Sequence, residues 1–318
     1  HQVGERDDDI DDGKGGTNLP MIGATMALSG KCTSPDYGTK LFYIKTKHTG
    51  SGKLAGILRR IGSLHNMVIA DPAKGANSFK DESDFHKVAQ GKCVDMLVAH
   101  TPRASWQDKA FKGSLKIASI RDPVLRAISA YEHSIKCGQH CSMCWKLIND
   151  KVRWARQCHD VADAQYNLMR GVYEDVEDII DDYDFVLVTE RYLESLIVLR
   201  HVLGISLVEM LYIDIDDEGD TEGSDSHVVS LTGQPQRFLD VVVSRNQNDR
   251  KLYDTANMVL DDKIRIIGRS VVRKEARELK IMLDMLRHTC RDRAKSKELM
   301  GSTYMYSRDC LWHQQGCG

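Results

Sequence analysis

A short apolar run that passes through a glycine-containing loop straight into an amphipathic helix constrains this chain more than any other feature. Leu41-Phe42-Tyr43-Ile44 is apolar at every position, as a strand covered on both faces must be. It leads through Lys45-Thr46-Lys47-His48-Thr49 into Gly50-Ser51-Gly52-Lys53, after which Leu54, Ile57, Leu58 and Ile61 recur at helical spacing. Strand, tight loop and helix in that order aim backbone N–H groups and the positive end of a helix dipole at one point, where an anion is stabilised. Glycine lets backbone approach that anion closely, and the lysines add charge. A phosphate or sulfate ligand is the expectation.

The alternation continues along the chain. A second strand is predicted at residues 94–98, ending at His100, and a third at Leu115–Ile120, ending at Arg121-Asp122-Pro123. Pro123 suits the first turn of a helix, whose apolar face would be Val124, Ile128, Tyr131 and Ile135. A fourth strand, Phe185–Val188, stops at Thr189, the expected N-cap of a helix carrying Leu193, Leu196, Leu199 and Leu203, with Gly204 as its C-terminal stop. Strands alternating with helices predict an α/β fold with a mainly parallel central sheet flanked by helices and a ligand beyond the carboxyl ends of the strands. Residues 1–40, rich in Gly and Asp, read as a flexible stem. Residues 41–318 read as a single domain, with an acidic solvated loop at 214–226 and a helical stretch at 273–300.

Composition narrows the function. With 318 residues, 42% of them hydrophobic, the chain can bury a large core, which excludes disorder throughout. A formal net charge of -2 argues against a protein that coats nucleic acid, though it permits a local basic pocket. No run approaches the ~20 apolar residues that cross a bilayer, and the chain begins at His1, so any anchor or signal is expected upstream. Nine cysteines, with Cys137, Cys141, Cys144 and Cys158 crowded together, point to disulfides and an oxidising lumen. The same spacing with His159 also suits a zinc cage, and the odd count leaves one thiol free or paired to another chain. Asn-x-Ser/Thr is absent, so glycosylation lends no support to secretion.

Two enzyme classes use a strand, phosphate loop and helix. The nucleotide triphosphatase pattern G-x-x-x-x-G-K-[ST] fails at both ends, since Lys47 stands at the first Gly and Leu54 at the magnesium-binding hydroxyl. The apolar stretch at 211–214, ending in Asp214, is the one feature resembling a magnesium carboxylate on a strand. Instead, the segment from Phe42 to Gly62 resembles, without a gap, the galactose-3-O-sulfotransferase family, whose pattern runs roughly F-L-K-T-H-K-T-A-S-S-T-L-x-x-I-L-x-R-x-G. His48 stands where that family has its second lysine, Lys47 where it has histidine, and Gly52 and Lys53 replace hydroxyls.

Three further stretches carry the resemblance in the family's order. Ile120-Arg121-Asp122-Pro123-Val124 through Tyr131 matches the strand, Arg-Asp/Asn-Pro-Val turn and helix with which sulfotransferases hold a 3′-phosphate. The segment from Phe185 to Leu199 resembles V-L-x-T-E-x-[FY]-x-E-S-L-x-L-L, and Leu252-Tyr253-Asp254 resembles a later L-Y-D. His100 falls where the family has a histidine followed by Arg-Phe, although here Arg103 follows one residue later.

The resemblance implies a P-loop-like sulfotransferase fold that moves a sulfuryl group from 3′-phosphoadenosine 5′-phosphosulfate (PAPS) to a sugar hydroxyl, a galactose 3-OH-like acceptor on a glycolipid or glycoprotein glycan. It implies a PAPS site of Lys45, Thr46, Lys47, His48, Thr49, Gly50, Ser51, Gly52 and Lys53 with Arg121 and Ser129, the leaving-group contact resting on Lys47, His48 or Lys53, and His100 as base. It implies no metal, a carbohydrate partner, and the Golgi lumen as the home of a type II membrane protein whose anchor is outside this chain. Competing readings are a homologue that binds the desulfated nucleotide PAP without turnover, a magnesium-dependent phosphate-loop NTPase or kinase, and a zinc-organised interaction domain.

Overall fold

The computed structural model describes residues 40–72, 78–137, 144–212 and 231–294. Five parallel strands form its sheet: β1 (Leu41–Ile44), β2 (Ile69–Ala70), β3 (Met96–Ala99), β4 (Leu115–Ile120) and β5 (Phe185–Val188), in the order β2-β3-β1-β4-β5. β1, β3 and β5 are buried at every residue, which is why they read as continuous apolar runs rather than alternating ones. Leu41 aligns with Met96 on one side and Leu115 on the other, and Ile120 aligns with Val188. From β1 the chain winds to one edge of the sheet, and from β4 to the other. The crevice where winding reverses therefore opens at the carboxyl ends of β1 and β4.

Helices cover the sheet: α1 (Ser51–Leu64), α2 (Glu82–Ala89), α3 (Ser105–Ala110), α4 (Pro123–Cys137), α5 (Lys151–Gln157), α6 (Ala164–Met169), α7 (Val176–Asp181), α8 (Tyr192–Leu203), α9 (Gln236–Ser244), α10 (Gln247–Ile267) and α11 (Arg269–Ala294). Leu54, Ile57, Leu58 and Ile61 of α1 are buried as their spacing predicts. α10 and α11 pack against α8, placing Leu252, Ala256, Leu260, Val272 and Leu279 in the main core with Leu196, Leu199 and Leu203. A second, smaller core joins α4, α5 and α9 through Ala127, Ile128, Trp154, Phe238 and Val242, and a Cys144–Cys158 disulfide closes it. No helix among the described residues is long and apolar enough to cross a membrane.

The α/β class and parallel sheet stand as expected, with local corrections. β3 starts at Met96 rather than residue 94; Asp95, just before it, ties the start of the strand to the residue that precedes β2, its carboxylate accepting from the Val68 N–H at 2.8 Å. β2, two residues long, carries no readable period. α4 keeps most of its expected face inward, with Ile128 buried and Val124 and Tyr131 packed against the smaller core, but Ile135 is 49% exposed while Ser134 is buried, its hydroxyl donating to the Ala130 carbonyl at 2.8 Å. Small side chains at 127, 130 and 134 admit neighbouring helices more closely than the larger face would. Thr189 is no helix cap, since a short 3-10 turn, Thr189–Arg191, precedes α8. Gly204 does end α8 in the left-handed region, at φ 65°.

Cys144 and Cys158 spend their sulfurs on each other, so the thiolate cage of the zinc reading loses two of its ligands; Cys93 is disulfide-bonded as well. Leu211 and Tyr212 form no strand, which removes the described half of the resemblance to a magnesium carboxylate strand. Residues 1–39, Cys141, the acidic stretch 214–226 and residues 295–300 lie outside the described residues.

Candidate active site

The loop after β1 is fixed from below by hydroxyls. Thr46 and Thr49 are buried, and Ser119 of β4 lies between them: its Oγ is 2.8 Å from Thr49 Oγ1, 3.2 Å from Thr46 Oγ1 and 2.9 Å from the Tyr43 hydroxyl. One proton assignment satisfies all four groups. Tyr43 donates to Ser119, Ser119 to Thr49, Thr49 to the Thr46 carbonyl at 2.9 Å, and Thr46 to the Ser119 carbonyl. Thr46 and Thr49 thus serve the loop's shape with their side chains, leaving backbone to face the crevice. Gly50, at φ 66°, makes the left-handed turn into α1, and His48 also lies in that region, at φ 63°.

α1 begins without a side-chain cap and without an acid in its first turn. Its first N–H groups, from Ser51 onward, therefore keep the partial positive charge that a cap would cover. α4 differs, because Asp122 caps it: the carboxylate accepts from the N–H groups of Val124 and Leu125 at 2.9 and 3.0 Å, with Pro123 in the first turn as expected. The structure thus leaves one helix terminus open to an anion and closes the other.

Arg121, at the end of β4, supplies the charge on the second side. Its Nη1 donates to the His48 carbonyl at 3.3 Å, its Nε lies 3.7 Å from Glu190, and that Nε is buried without a hydrogen bond. Burial lowers its pKa, opposed by Glu190, Asp122 and Glu132. Thr189 ties the two sides together, sharing its hydroxyl proton between the carbonyls of Thr49 at 2.9 Å and Ile120 at 2.7 Å. Ser129 is half-buried two turns along α4.

His100, just past β3, reaches the same crevice. Its Nδ1 lies 2.6 Å from the Lys45 carbonyl, which can only accept, so Nδ1 carries the proton and Nε2 keeps a free lone pair. Burial first, and then the charge of Lys45, push its pKa down to about 4. His48 is pushed down to about 3 by burial and by the charges of Arg126, His133, Lys47 and His100. Both rings are neutral near pH 7. Lys45 falls to about 8 through burial and the nearby Arg59. Lys47 is exposed, its Nζ 3.5 Å from Asp160. Burial is the first cause of all three shifts, with neighbouring positive charge adding to it.

Sequence reasoning placed residues 45–53, His100, Arg121 and Ser129 by position, and β1, β3 and β4 bring the first three groups to one crevice. Arg103 goes elsewhere: it is buried between Tyr173 and Tyr183 and paired with Asp108 and Asp182. Four participants were missed. Ser119 had a signal, as the one hydroxyl inside an otherwise apolar strand end. Asp160, Gln165 and Asp249 had none, since Asp160 and Gln165 meet Lys47 and Arg121 from segments distant in sequence and Asp249 supports Gln165 from beneath.

Comparison with known proteins locates the chain among relatives. Residues 154–301 match the model of the family described as galactose-3-O-sulfotransferase. The chain is similar to the galactosylceramide sulfotransferase of Mus musculus, 25% identical over 283 residues, covering 79% of this chain and 64% of the relative. It is also similar to the galactose-3-O-sulfotransferase 3 of Bos taurus, 24% identical over 288 residues and covering 78% and 63%, and to that of Homo sapiens, 27% identical over 290 residues and covering 78% and 62%. The chain thus spans a little under two thirds of the length of the relatives it matches.

Proposed function

We propose that this chain, similar over residues 154–301 to the galactose-3-O-sulfotransferase family and 25% identical to a galactosylceramide sulfotransferase, is a carbohydrate sulfotransferase that takes its sulfuryl group from PAPS and delivers it to a sugar hydroxyl, a galactose 3-OH-like acceptor on a glycolipid or glycoprotein glycan. The observation that carries the reading is the pairing of an uncapped helix terminus after β1 with a buried, half-satisfied arginine after β4, joined through Thr189. A ligand with two separated anionic groups fits that pair better than a triphosphate does.

In this reading the N–H groups from Gly50 to Lys53, with Lys45, hold the 5′-phosphosulfate, and Arg121 and Ser129 hold the 3′-phosphate. The acceptor hydroxyl attacks sulfur while the bond from sulfur to the bridging phosphate oxygen breaks. Its proton passes to His100 Nε2, and the leaving PAP keeps the bond's electron pair, its new charge met by Lys47, Lys53 and His48. His48 enters neutral and contributes an N–H rather than a full charge until bound phosphates raise its pKa. No step draws on a metal, so activity is expected to survive a chelator. The disulfides support an oxidising compartment, in keeping with the Golgi lumen and an anchor outside this chain.

Calorimetric titration with PAP, against magnesium-ATP as control, tests the reading. Selective PAP binding that weakens when the 3′-phosphate is removed is expected; preference for magnesium-ATP would overturn it. Arg121→Ala should weaken PAP, whereas His100→Ala should chiefly lower kcat, and full activity of the latter would dismiss His100 as base. Tight PAP binding with no transfer to galactose-terminated acceptors would favour the non-catalytic reading, for which His48 in place of a lysine is the specific motive.

A further inference from the structure

β4 pairs with β5 as far as Ile120, opposite Val188. Arg121 is the next residue, and its backbone has left the ladder. Both of its main-chain groups are nonetheless satisfied, and by one side chain. Gln165 of α6 accepts from the Arg121 N–H at 2.7 Å and donates its own amide to the Arg121 carbonyl at 3.0 Å. The primary amide imitates a further residue of a neighbouring strand, extending the sheet by one rung where no strand is present.

Gln165 is itself held on every side. It is 1% exposed, and Asp249, at the start of α10 and fully buried, accepts from its backbone N–H and its side-chain Nε2, both at 3.3 Å. The same carboxylate accepts from Tyr166 N at 2.8 Å and lies 3.8 Å from Arg126 Nε. Arg126, 1% exposed, donates to the carbonyls of Asp160 and Val161 at 3.0 and 2.9 Å. Buried charges and amides are stabilised only by such mutual satisfaction. The network has two exits toward the crevice: the Arg121 backbone, and the Asp160 carboxylate beside Lys47.

We infer that Gln165 is a positioning residue for the donor's 3′-phosphate: it fixes the Arg121 backbone one residue past the strand and so aims a guanidinium whose Nε makes no hydrogen bond within the protein. The assignment rests on reading Arg121 as the 3′-phosphate contact. Gln165 touches no ligand, and its effect runs wholly through Arg121.

Gln165→Met keeps the length and removes both hydrogen bonds. Titrations with PAP and with adenosine 5′-phosphate, which lacks the 3′-phosphate, separate positioning from general loosening. The variant should bind PAP about tenfold more weakly, as expected for loss of a buried hydrogen-bonded pair, with adenosine 5′-phosphate affinity unchanged. On an Arg121→Ala background the same substitution should cost nothing further, because a residue acting through Arg121 cannot add to its removal. Equal weakening of both nucleotides, or a full additional loss on that background, would overturn the inference. A wild-type protein that fails to distinguish the two nucleotides would instead sink the parent reading of Arg121. Where methionine is not accommodated, Gln165→Ala, whose cavity admits water, carries the same comparison.

Discussion

The imidazole of His100 is oriented by main chain, its Nδ1 2.6 Å from the carbonyl of Lys45, whose own N–H donates to Ala99 O at 2.9 Å. The proposed base just past β3 is therefore registered against the proposed phosphate loop after β1 by the carboxyl ends of two adjacent strands. The side chain of Lys45, on the same residue, depresses the pKa of that ring.

The pH profile follows from these groups. His100 must be neutral to accept a proton and sits at about 4, while Lys45 must be charged to hold the donor and sits at about 8. kcat/KM for the donor, which reports the free protein, is expected to be flat between those values, falling in acid as His100 protonates and in base as Lys45 loses its charge. Bound anions favour the protonated form of both groups, so the kcat profile should move to higher pH. A rate profile with a single limb near pH 6.5, the ordinary histidine value, would contradict the assignment.

Stability should carry the same signature with its sign fixed. His48 and His100 have folded pKa values of about 3 and about 4, below the unfolded value, so between that value and the folded ones the unfolded chain binds more protons. Their contribution is complete above about pH 6.5 and is lost as pH falls. Thermal midpoints are expected to decline from pH 7 to pH 5, and His48→Gln should flatten the decline.

Ser119→Ala removes the hydroxyl on which Tyr43, Thr46 and Thr49 converge. A loss of about 1–3 kcal/mol in chemical denaturation is expected, the usual cost of leaving buried polar groups unsatisfied. PAP binding should weaken at the same time, because the loop is shaped from beneath. A stable variant with unaltered binding would show that the loop holds its form unaided.

Gly50→Ala isolates conformation from space. The new methyl would meet Tyr192 Cε2 at 3.4 Å, an ordinary contact, whereas φ of 66° is costly for any residue with a Cβ. The expected penalty is about 1–2 kcal/mol, with reduced affinity for PAP and for adenosine 5′-phosphate alike, since both would place a phosphate at this loop.

Replacing Cys144 and Cys158 together by alanine opens a link with a sequence separation of 14 residues, for which about 3 kcal/mol is expected. Arg126 and Arg245 donate to carbonyls of the adjoining segment, at Asp160, Val161 and Cys158, so a lowered melting temperature should be accompanied by weaker donor binding. Unchanged thermal stability would show the bridge to be redundant.

What the sequence disclosed was whatever chain neighbours decide. β1 and β5 could be read to the residue because each is a short apolar run bounded by polar residues, and β4 because its mainly apolar run stops at Arg121-Asp122-Pro123; Arg121 and residues 45–53 could be read because they directly follow such strands. The last turn of α4 escaped because its surroundings depend on helices arriving later: Val124, Ile128 and Tyr131 pack as their spacing predicts, whereas apolar Ile135 faces water and Ser134 is buried. Gln165 and Asp249 escaped for the same reason. A glutamine on a six-residue helix looks like surface until the strand end it completes is placed beside it.

Thr189 carries a consequence for discrimination. By holding Thr49 and Ile120 with one hydroxyl, it would turn the two proposed anion-binding positions into the ends of a ruler. A nucleotide with a single phosphate spans one end and gains half the contacts; one with its second phosphate misplaced by a bond length or two cannot reach both, because neither end can move alone. On the proposed reading, selectivity for the position of a phosphate would reside in the mouth of the sheet, set when the chain folds and before any ligand arrives.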